Sequence, residues 1–232
     1  MKYSNEALKK RIEKLKATRK EALKNVSKLH VVLQRGNRKT GPNCYTVSLL
    51  PVIDCKNCAK CKHECYDLWH DMIYNTVIWD RCRNSAIHKK DPERYWAEID
   101  MQIKANFVKE LRLNVGGDLQ GDDFEAVAKL GANNPGCDIL FFTKSYEDIN
   151  NFLDHGKFPA NVHPIMSAWQ GVKMDNPHHL PMSHVLYPDG KTTAPKYGAV
   201  YCGGNCSECH YNKTERGCWG LKKDESVIFK AH

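Results

Sequence analysis

The chain has 232 residues, enough for one large domain or for a domain with appended segments. Apolar residues make up 41% of it and charged residues 27%, as in ordinary globular proteins, and no apolar run approaches the roughly 18 residues of a membrane span. The N-terminal segment lacks the apolar core of a secretory signal, so we expect a cytoplasmic protein whose 11 cysteines serve as metal or redox ligands rather than as disulfides.

The net charge of +8 is concentrated near the N-terminus, where residues 2–24 carry nine basic and three acidic side chains. Ser4 can cap a helix here. Four apolar residues recur near one face of that helix: Leu8, Ile12, Leu15 and Leu23. The pattern favours a charged surface helix at residues 1–28 that packs on the body of the protein, and the alternative is an arm that binds nucleic acid or an acidic partner.

Downstream of this helix, segments typical of strands alternate with segments typical of helices. The predicted strands cover 29–34, 45–53, 111–115, 137–143, 161–169 and 184–188. The predicted helices cover 66–90, 92–110, 122–132 and 145–155, with Asp91 and Pro92 at the start of the second. A basic loop rich in glycine and proline, residues 35–43, follows the first strand. This alternation predicts right-handed crossovers and a parallel sheet, either open or rolled into a barrel.

Most of the cysteines fall into two groups. The first is "CKNCAKCKHEC", with Cys55, Cys58, Cys61 and Cys65, and the second is "CGGNCSECHYNKTERGC", with Cys202, Cys206, Cys209 and Cys218. Four thiolates suit either a tetrahedral zinc ion or a cubane iron–sulfur cluster, and the spacing does not distinguish the two. Glycines beside the second group allow backbone N–H groups to approach the sulfurs. Three isolated cysteines are left out of the sites: Cys44, Cys82 and Cys137.

The segment "CSECH", residues 206–210, also matches the attachment signature of a c-type haem. Covalent haem attachment normally takes place outside the cytosol, and we expect no export of this protein. Cys202 and Cys218 would also be left without a role. We therefore favour zinc or iron–sulfur ligation for the second group.

Several chemically useful residues follow the predicted strands directly, as the first cysteine group follows the strand at 45–53. Ligands of parallel α/β folds bind at the carboxyl ends of the strands, so we expect these residues to share one site. A Gly-Gly pair admits a ligand closely and an acid beyond it can bind an amine or a cation, although turns use the same residues. The candidates are Gly116, Gly117 and Asp118 after one strand, Lys144 after the next, and Ser167 and Trp169 after the third.

These motifs occur in an order that resembles a family of phage proteins, the "gene product eighty-eight" proteins. The segments that carry the resemblance are "RGNRKTG", "SLLPVIDC", "CKHECYD", "RLNVGGDLQGDDFEAVAKLGANNP", "FFTKSYED", "MSAWQGVKMDNPHHLP" and "CGGNCSECHYNKTERGCW". They cover about residues 34–232, with the basic N-terminal helix outside. The family is itself similar to radical-SAM-type barrels that carry iron–sulfur clusters.

The resemblance implies a radical-SAM-like partial (β/α) barrel at residues 29–200 and an iron–sulfur segment at residues 201–232. It implies two [4Fe–4S] clusters, one in each cysteine group with zinc as the alternative, and S-adenosylmethionine (SAM) as a cosubstrate. The family's first pattern falls on Cys55, Cys61, Cys65 and Tyr66, which leaves Cys58 as an additional thiol.

In this interpretation Asp118 and its two preceding glycines hold the amine of SAM, and three residues shape the pocket: Lys144, Ser167 and Trp169. The cysteine spacing differs from the usual three-then-two pattern of radical-SAM enzymes. A fourth thiolate from Cys58 would leave no open iron for SAM to chelate.

The sequence thus predicts an iron–sulfur protein, of phage origin and located in the host cytoplasm, that is a redox or radical enzyme. Its partner would be a small-molecule substrate or an electron donor, and we expect no membrane association. The alternative is a non-enzymatic zinc or iron–sulfur protein that binds nucleic acid through the basic helix and the loop "RGNRKTG". A third interpretation is a hydrolase or sulfur-transfer protein in which an open iron acts as a Lewis acid.

Overall fold

Five helices and eight strands make up a computed structural model that describes residues 4–36, 40–59, 61–68, 75–206, 209 and 217–231. The helices are α1 (Asn5–Lys24), α2 (Asn75–Lys90), α3 (Pro92–Ala105), α4 (Asp123–Asn133) and α5 (Tyr146–His155). The strands are β1 (Gln34–Arg35), β2 (Cys44–Val47), β3 (Glu110–Leu113), β4 (Asp138–Thr143), β5 (Val162–Ser167), β6 (Met182–Leu186), β7 (Ala199–Tyr201) and β8 (Ser226–Lys230). Short 3-10 helices cover Val26–Lys28, Cys61–Glu64 and Gly217–Gly220.

All eight strands belong to one sheet, in the order β1-β2-β3-β4-β5-β6-β8-β7. Only β1 runs antiparallel to its neighbour, so the predicted parallel sheet is confirmed. From β2 to β6 each strand lies beside the next one in the chain, which places successive right-handed crossovers on the same side of the sheet. No pairing among the described residues joins β1 to β7, so the sheet is open and barrel closure is not observed.

The two faces of the sheet bury different partners because side chains alternate along each strand. Leu111, Leu113 and Phe141 pack into the main core with the apolar faces of α3, α4 and α5. Leu140 lies on the opposite face and packs in a smaller cluster with Trp219 from the C-terminal segment. The helices therefore cover one face completely, and the other is left for a cavity.

The predicted helix starts are confirmed where the structure describes them. The Ser4 side chain accepts a hydrogen bond from the N–H of Ala7 at 3.2 Å, and Asp91 caps α3 with Pro92 in the first turn. α3 ends at Ala105 rather than at residue 110, because the chain turns through Phe107 at φ 52° into β3. Of the predicted helix at 66–90, residues 69–74 lie outside the described residues.

The predicted strand at 29–34 is wrong except for Gln34. Side chains of neighbouring helices satisfy this backbone in place of a second strand. The N–H of Val31 donates to Glu98 at 2.7 Å and the N–H of Val32 donates to Asn84 at 2.8 Å.

The predicted strand at 45–53 is shorter in the structure and ends at Val47. The chain then turns back at residues 51–54, where the N–H of Asp54 donates to the Leu50 carbonyl. Of the basic loop at 35–43, residues 37–39 lie outside the described part of the chain.

Two strands, β7 and β8, lie outside the predicted ranges. The longer of the two is β8. Its sequence "SVIFK" follows the second cysteine group, and it pairs with β6 on one side and β7 on the other. The C-terminal segment is thereby anchored in the main sheet.

No helix in the described part of the chain is both long and apolar enough to span a membrane.

The basic helix α1 packs against α2 through the predicted stripe, with Leu8 and Leu15 buried beside Leu68 and Ile78. Its Arg19 guanidinium donates to Asp54 Oδ1 at 2.8 Å, directly before the first cysteine group. α1 therefore supports the loop that carries these cysteines.

We expect Arg19→Ala to lower the free energy of unfolding by about 1.5–3 kcal/mol, the usual contribution of a hydrogen bond to a charged group in a protected setting. Urea unfolding of anaerobically purified protein measures the change. The control Lys16→Ala removes an exposed ion pair with Glu13 on the same helix, and it should cost at most about 0.5 kcal/mol. Equal effects of the two substitutions would show that Arg19 does not anchor the loop.

Candidate metal and ligand site

A cavity of about 540 Å³ lies on the face of the sheet that the helices leave free. The lining includes every predicted site residue except Cys58: Cys55, Cys61, Cys65, Tyr66, Gly116, Gly117, Asp118, Lys144, Ser167, Trp169, Cys202, Cys206, Cys209 and Cys218. The tertiary structure thus brings together two cysteine groups that are separated by more than a hundred residues in the chain.

The first cysteine group is fixed to the carboxyl end of β4 and to α5 by polar contacts. Asn57 donates to the carbonyl of Lys144 at 2.6 Å, and Lys56 forms an ion pair with Asp148 at 2.7 Å. Three thiols of the group line the cavity, those of Cys55, Cys61 and Cys65, and Cys58 does not. The Cys58 sulfur contacts the carbonyl oxygen of Val52 at 3.4 Å, and the Cys61 sulfur contacts the carbonyl oxygen of Cys58 at 3.8 Å.

Burial raises the pKa of the three thiols of the first group that line the cavity. The pKa of Cys55 lies well above the usual thiol value, that of Cys61 is raised, and that of Cys65 is raised to about 12, each mainly by desolvation. The Lys144 ammonium partly opposes this by favouring the thiolates of Cys55 and Cys61. Thiolates in this cavity need nearby positive charge, which a bound metal centre provides most effectively.

Asp118 is buried beside the first cysteine group. Its Oδ2 accepts a hydrogen bond from the N–H of Lys144 and its Oδ1 from the N–H of Leu119, both at 2.9 Å. Desolvation raises the pKa of Asp118 to about 6, although the Lys144 charge acts in the opposite direction. Burial also opposes the charge of Lys144, but the neighbouring Cys61, Asp118 and Cys55 outweigh it and raise the Lys144 pKa. At neutral pH the pair is a carboxylate beside an ammonium.

Close packing within the protein explains both glycines before Asp118. A Cβ on Gly116 would lie 2.0 Å from Oδ2 of the buried Asp67, and one on Gly117 would lie 2.6 Å from the Cβ of Leu49. Gly117 also has φ +79°, a conformation that L residues rarely adopt. The two glycines therefore let the strand-end loop pack tightly, and both still line the cavity.

Aromatic and hydroxyl groups form the wall next to Lys144. Its Nζ lies 5.3 Å from the centre of the Trp169 ring, which packs edge-to-face against Tyr187. Ser167 Oγ and Ser183 Oγ are hydrogen-bonded at 3.1 Å, and the Tyr66 hydroxyl donates to the carbonyl of Val115 at 3.2 Å. This wall is rigid and partly apolar, as small-molecule sites usually are.

The second cysteine group begins directly after β7. The N–H of Cys202 donates to Ile228 in β8, and the N–H of Gly204 donates to the Cys202 sulfur at 3.4 Å, as its glycine-rich sequence predicts. Burial raises the pKa of Cys218 to about 12. Residues 207, 208 and 210 of the haem-like signature lie outside the described residues.

Sequence reasoning missed many other residues of the cavity, among them Cys44, Arg112, Asn114 and His184. Cys44 lies at the start of β2, and its pKa is raised to about 12 by burial and by Glu110, with a contribution from Cys206. Arg112 is a charged residue within a largely buried strand. A charged side chain in such a strand was the sequence feature that could have indicated a site residue.

Within the described part of the chain, no set of three or more His, Cys, Asp or Glu side chains is close enough to hold one metal ion. A tetrahedral zinc site, with Zn–S bonds of about 2.3 Å, would require four sulfurs in mutual contact. The thiols that line the cavity are donors that suit zinc or an iron–sulfur cluster.

The fold and the cavity define an α/β protein with a mostly parallel sheet and a cysteine-lined site on one face. Residues 6–219 match the protein family described as Gene product 88, and the chain belongs to this phage protein family. No curated protein and no solved structure matches the chain.

Proposed function

We propose that this chain is an iron–sulfur protein with a radical-SAM-like partial barrel, in which the two cysteine groups hold [4Fe–4S] clusters in one cavity. The observation that carries the proposal is that thiols of both groups line this cavity together with Asp118 and Lys144. The strand order supports the partial barrel, because β2 to β6 follow one another with their helices on one side.

Three thiols in the first group support an open cluster: Cys55, Cys61 and Cys65. Cys58 is not among the residues that line the cavity, which argues against a fourth thiolate ligand. A cluster held by three thiolates supplies electrons and one iron with a free coordination position.

The neighbouring side chains would bind and orient a cosubstrate at that position. The Asp118 carboxylate is placed to accept hydrogen bonds from an ammonium group such as that of SAM, and Lys144 keeps the carboxylate ionised at neutral pH. The Trp169 ring gives an apolar surface that excludes water. The substrate of the resulting redox or radical reaction would occupy the remaining cavity.

Metal analysis and a product assay test this proposal together. Anaerobically purified protein should contain about eight irons and eight sulfides per chain, as expected for two cubanes, with little zinc. Dithionite reduction in the presence of SAM should then release 5′-deoxyadenosine. A protein that contains iron but releases no 5′-deoxyadenosine would be a redox protein, and the radical-SAM part of the proposal would be refuted. A colourless protein that contains zinc would refute the iron–sulfur proposal.

Nucleic-acid binding through α1 stays a prediction. The outer face of this helix is exposed and basic, with Lys9, Lys10 and Lys14 among its side chains. Because Arg19 supports the cysteine loop, substitution of these exposed lysines by glutamine tests binding more cleanly than deletion of the helix does. Binding that depends on them should weaken steeply with salt.

A further inference from the structure

Two hydrogen-bond donors on β3 and its end face the cavity without a partner. Arg112 and Asn114 are two residues apart and lie on the same face of the chain, since side chains alternate in a strand. Nε of Arg112 and Nδ2 of Asn114 are buried, and neither has a hydrogen-bond partner. Asn114 is only 7% exposed and has φ 50°, a backbone conformation that asparagine tolerates better than most residues. Buried donors without acceptors are unfavourable unless a ligand satisfies them.

The charge of Arg112 is also uncompensated by any described side chain. Two other arginines that are partly or fully buried have acidic partners: Arg81 pairs with Asp67, and Arg94 pairs with Glu98. Arg112 instead stacks on the Phe142 ring, with 5.1 Å between its guanidinium carbon and the ring centre. Glu110, the preceding acid on the same face, forms no ion pair with it among the described contacts.

The position of this guanidinium lies between the two cysteine groups. Its charge acts on Cys218 of the second group and on Tyr66, which directly follows Cys65 of the first. Arg112 therefore lines the cavity within electrostatic range of both groups.

We propose that Arg112 and Asn114 form an oxyanion site that binds the carboxylate or phosphate group of a small-molecule ligand between the two cysteine groups. The planar guanidinium presents Nε–H and Nη–H side by side to two oxygens of an anion. The Asn114 amide adds a third donor, and the Phe142 ring keeps water from one side of the charge. As a substrate class for the proposed enzyme, this assignment rests on the proposed function. The anion site itself depends only on the residues of the cavity and not on bound iron.

The test compares anion binding by wild-type protein with binding by three variants, using inorganic phosphate and succinate as separate probes in calorimetric titrations. We expect saturable binding of one probe per chain, and the better probe identifies phosphate or carboxylate as the natural group. Arg112→Gln should weaken that binding by about 10- to 100-fold, as loss of a charge-assisted hydrogen bond does. Asn114→Asp should also weaken it, because a carboxylate of similar shape replaces the donor.

Lys129→Gln is the matched control, since it removes one positive charge from an exposed side chain on α4, outside the cavity. Its affinity for the probe should equal that of wild type. Wild-type protein that binds neither probe, or Arg112→Gln protein that binds as wild type does, would overturn the proposal. Loss of iron from Arg112→Gln in parallel with loss of anion binding would also overturn it, because the guanidinium would then serve the metal centre. Anion binding by an iron-free protein would retain this site while refuting the iron–sulfur proposal.

Discussion

Cys61→Ala is expected to remove about half of the bound iron, whereas Cys58→Ala is expected to retain nearly all of it, because each cubane depends on its own thiolates. The two residues are neighbours in the same loop, but only Cys61 lines the cavity. The Cys58 sulfur contacts the carbonyl of Val52 instead. Cys58 is therefore a matched control for the loss of one thiol from the loop.

Iron and sulfide per chain, measured on anaerobically purified variants, check this expectation. Electron paramagnetic resonance spectra of the reduced variants show which of the two expected cluster signals is lost. Equal loss of iron in the two variants would mean that Cys58 is a fourth ligand and that the first cluster is closed. Unchanged iron in Cys61→Ala would exclude the first cysteine group as a cluster site.

Arg81→Met is expected to lower the free energy of unfolding by about 3–5 kcal/mol, because it leaves the buried carboxylate of Asp67 without its cation. Both side chains are less than a tenth exposed. Asp67 lies two residues after Cys65 and against Gly116, so the ion pair connects the first cysteine loop to the loop that carries Asp118.

Urea unfolding measures the effect of this substitution. The control is Arg83→Met on the same helix, where the ion pair with Asp80 is longer, at 3.7 Å, and about a quarter exposed. We expect it to cost about 0–1 kcal/mol. The double variant Asp67→Leu, Arg81→Met should recover much of the lost stability, since it removes the unpaired charge. No recovery would mean that the pair acts through contacts other than its own charges.

Local signals in the sequence were sufficient for the helices and for most of the parallel sheet. Ser4 and Asp91 have the side chains that cap helices, and the apolar runs before Gly116 and Lys144 are those of buried parallel strands. The segment at 29–34 misled the same reasoning, since its apolar residues are buried against helices whose Glu98 and Asn84 side chains replace strand pairing. β8 was missed because it is short and follows a long irregular segment.

The candidate site was predictable in part. Cysteine spacing and residues at strand ends are properties of the chain, so the thiols, Asp118 and Lys144 could be named from it. The spacing alone does not tell the four thiols of the first group apart, and only the cavity lining separates Cys58 from the other three. Arg112 could not be assigned, because a cavity-facing and a solvent-facing arginine look alike until the neighbouring elements are in place.

The sequence by itself determined the α/β class, the positions of the helices and the two groups of thiols, because capping, periodicity and spacing are local properties. The tertiary structure decided that both groups share one cavity, since β8 inserts between β6 and β7 and brings the second group onto the free face of the sheet. It also decided which donors in that cavity lack partners, because hydrogen-bond satisfaction depends on contacts between residues that are distant in the chain.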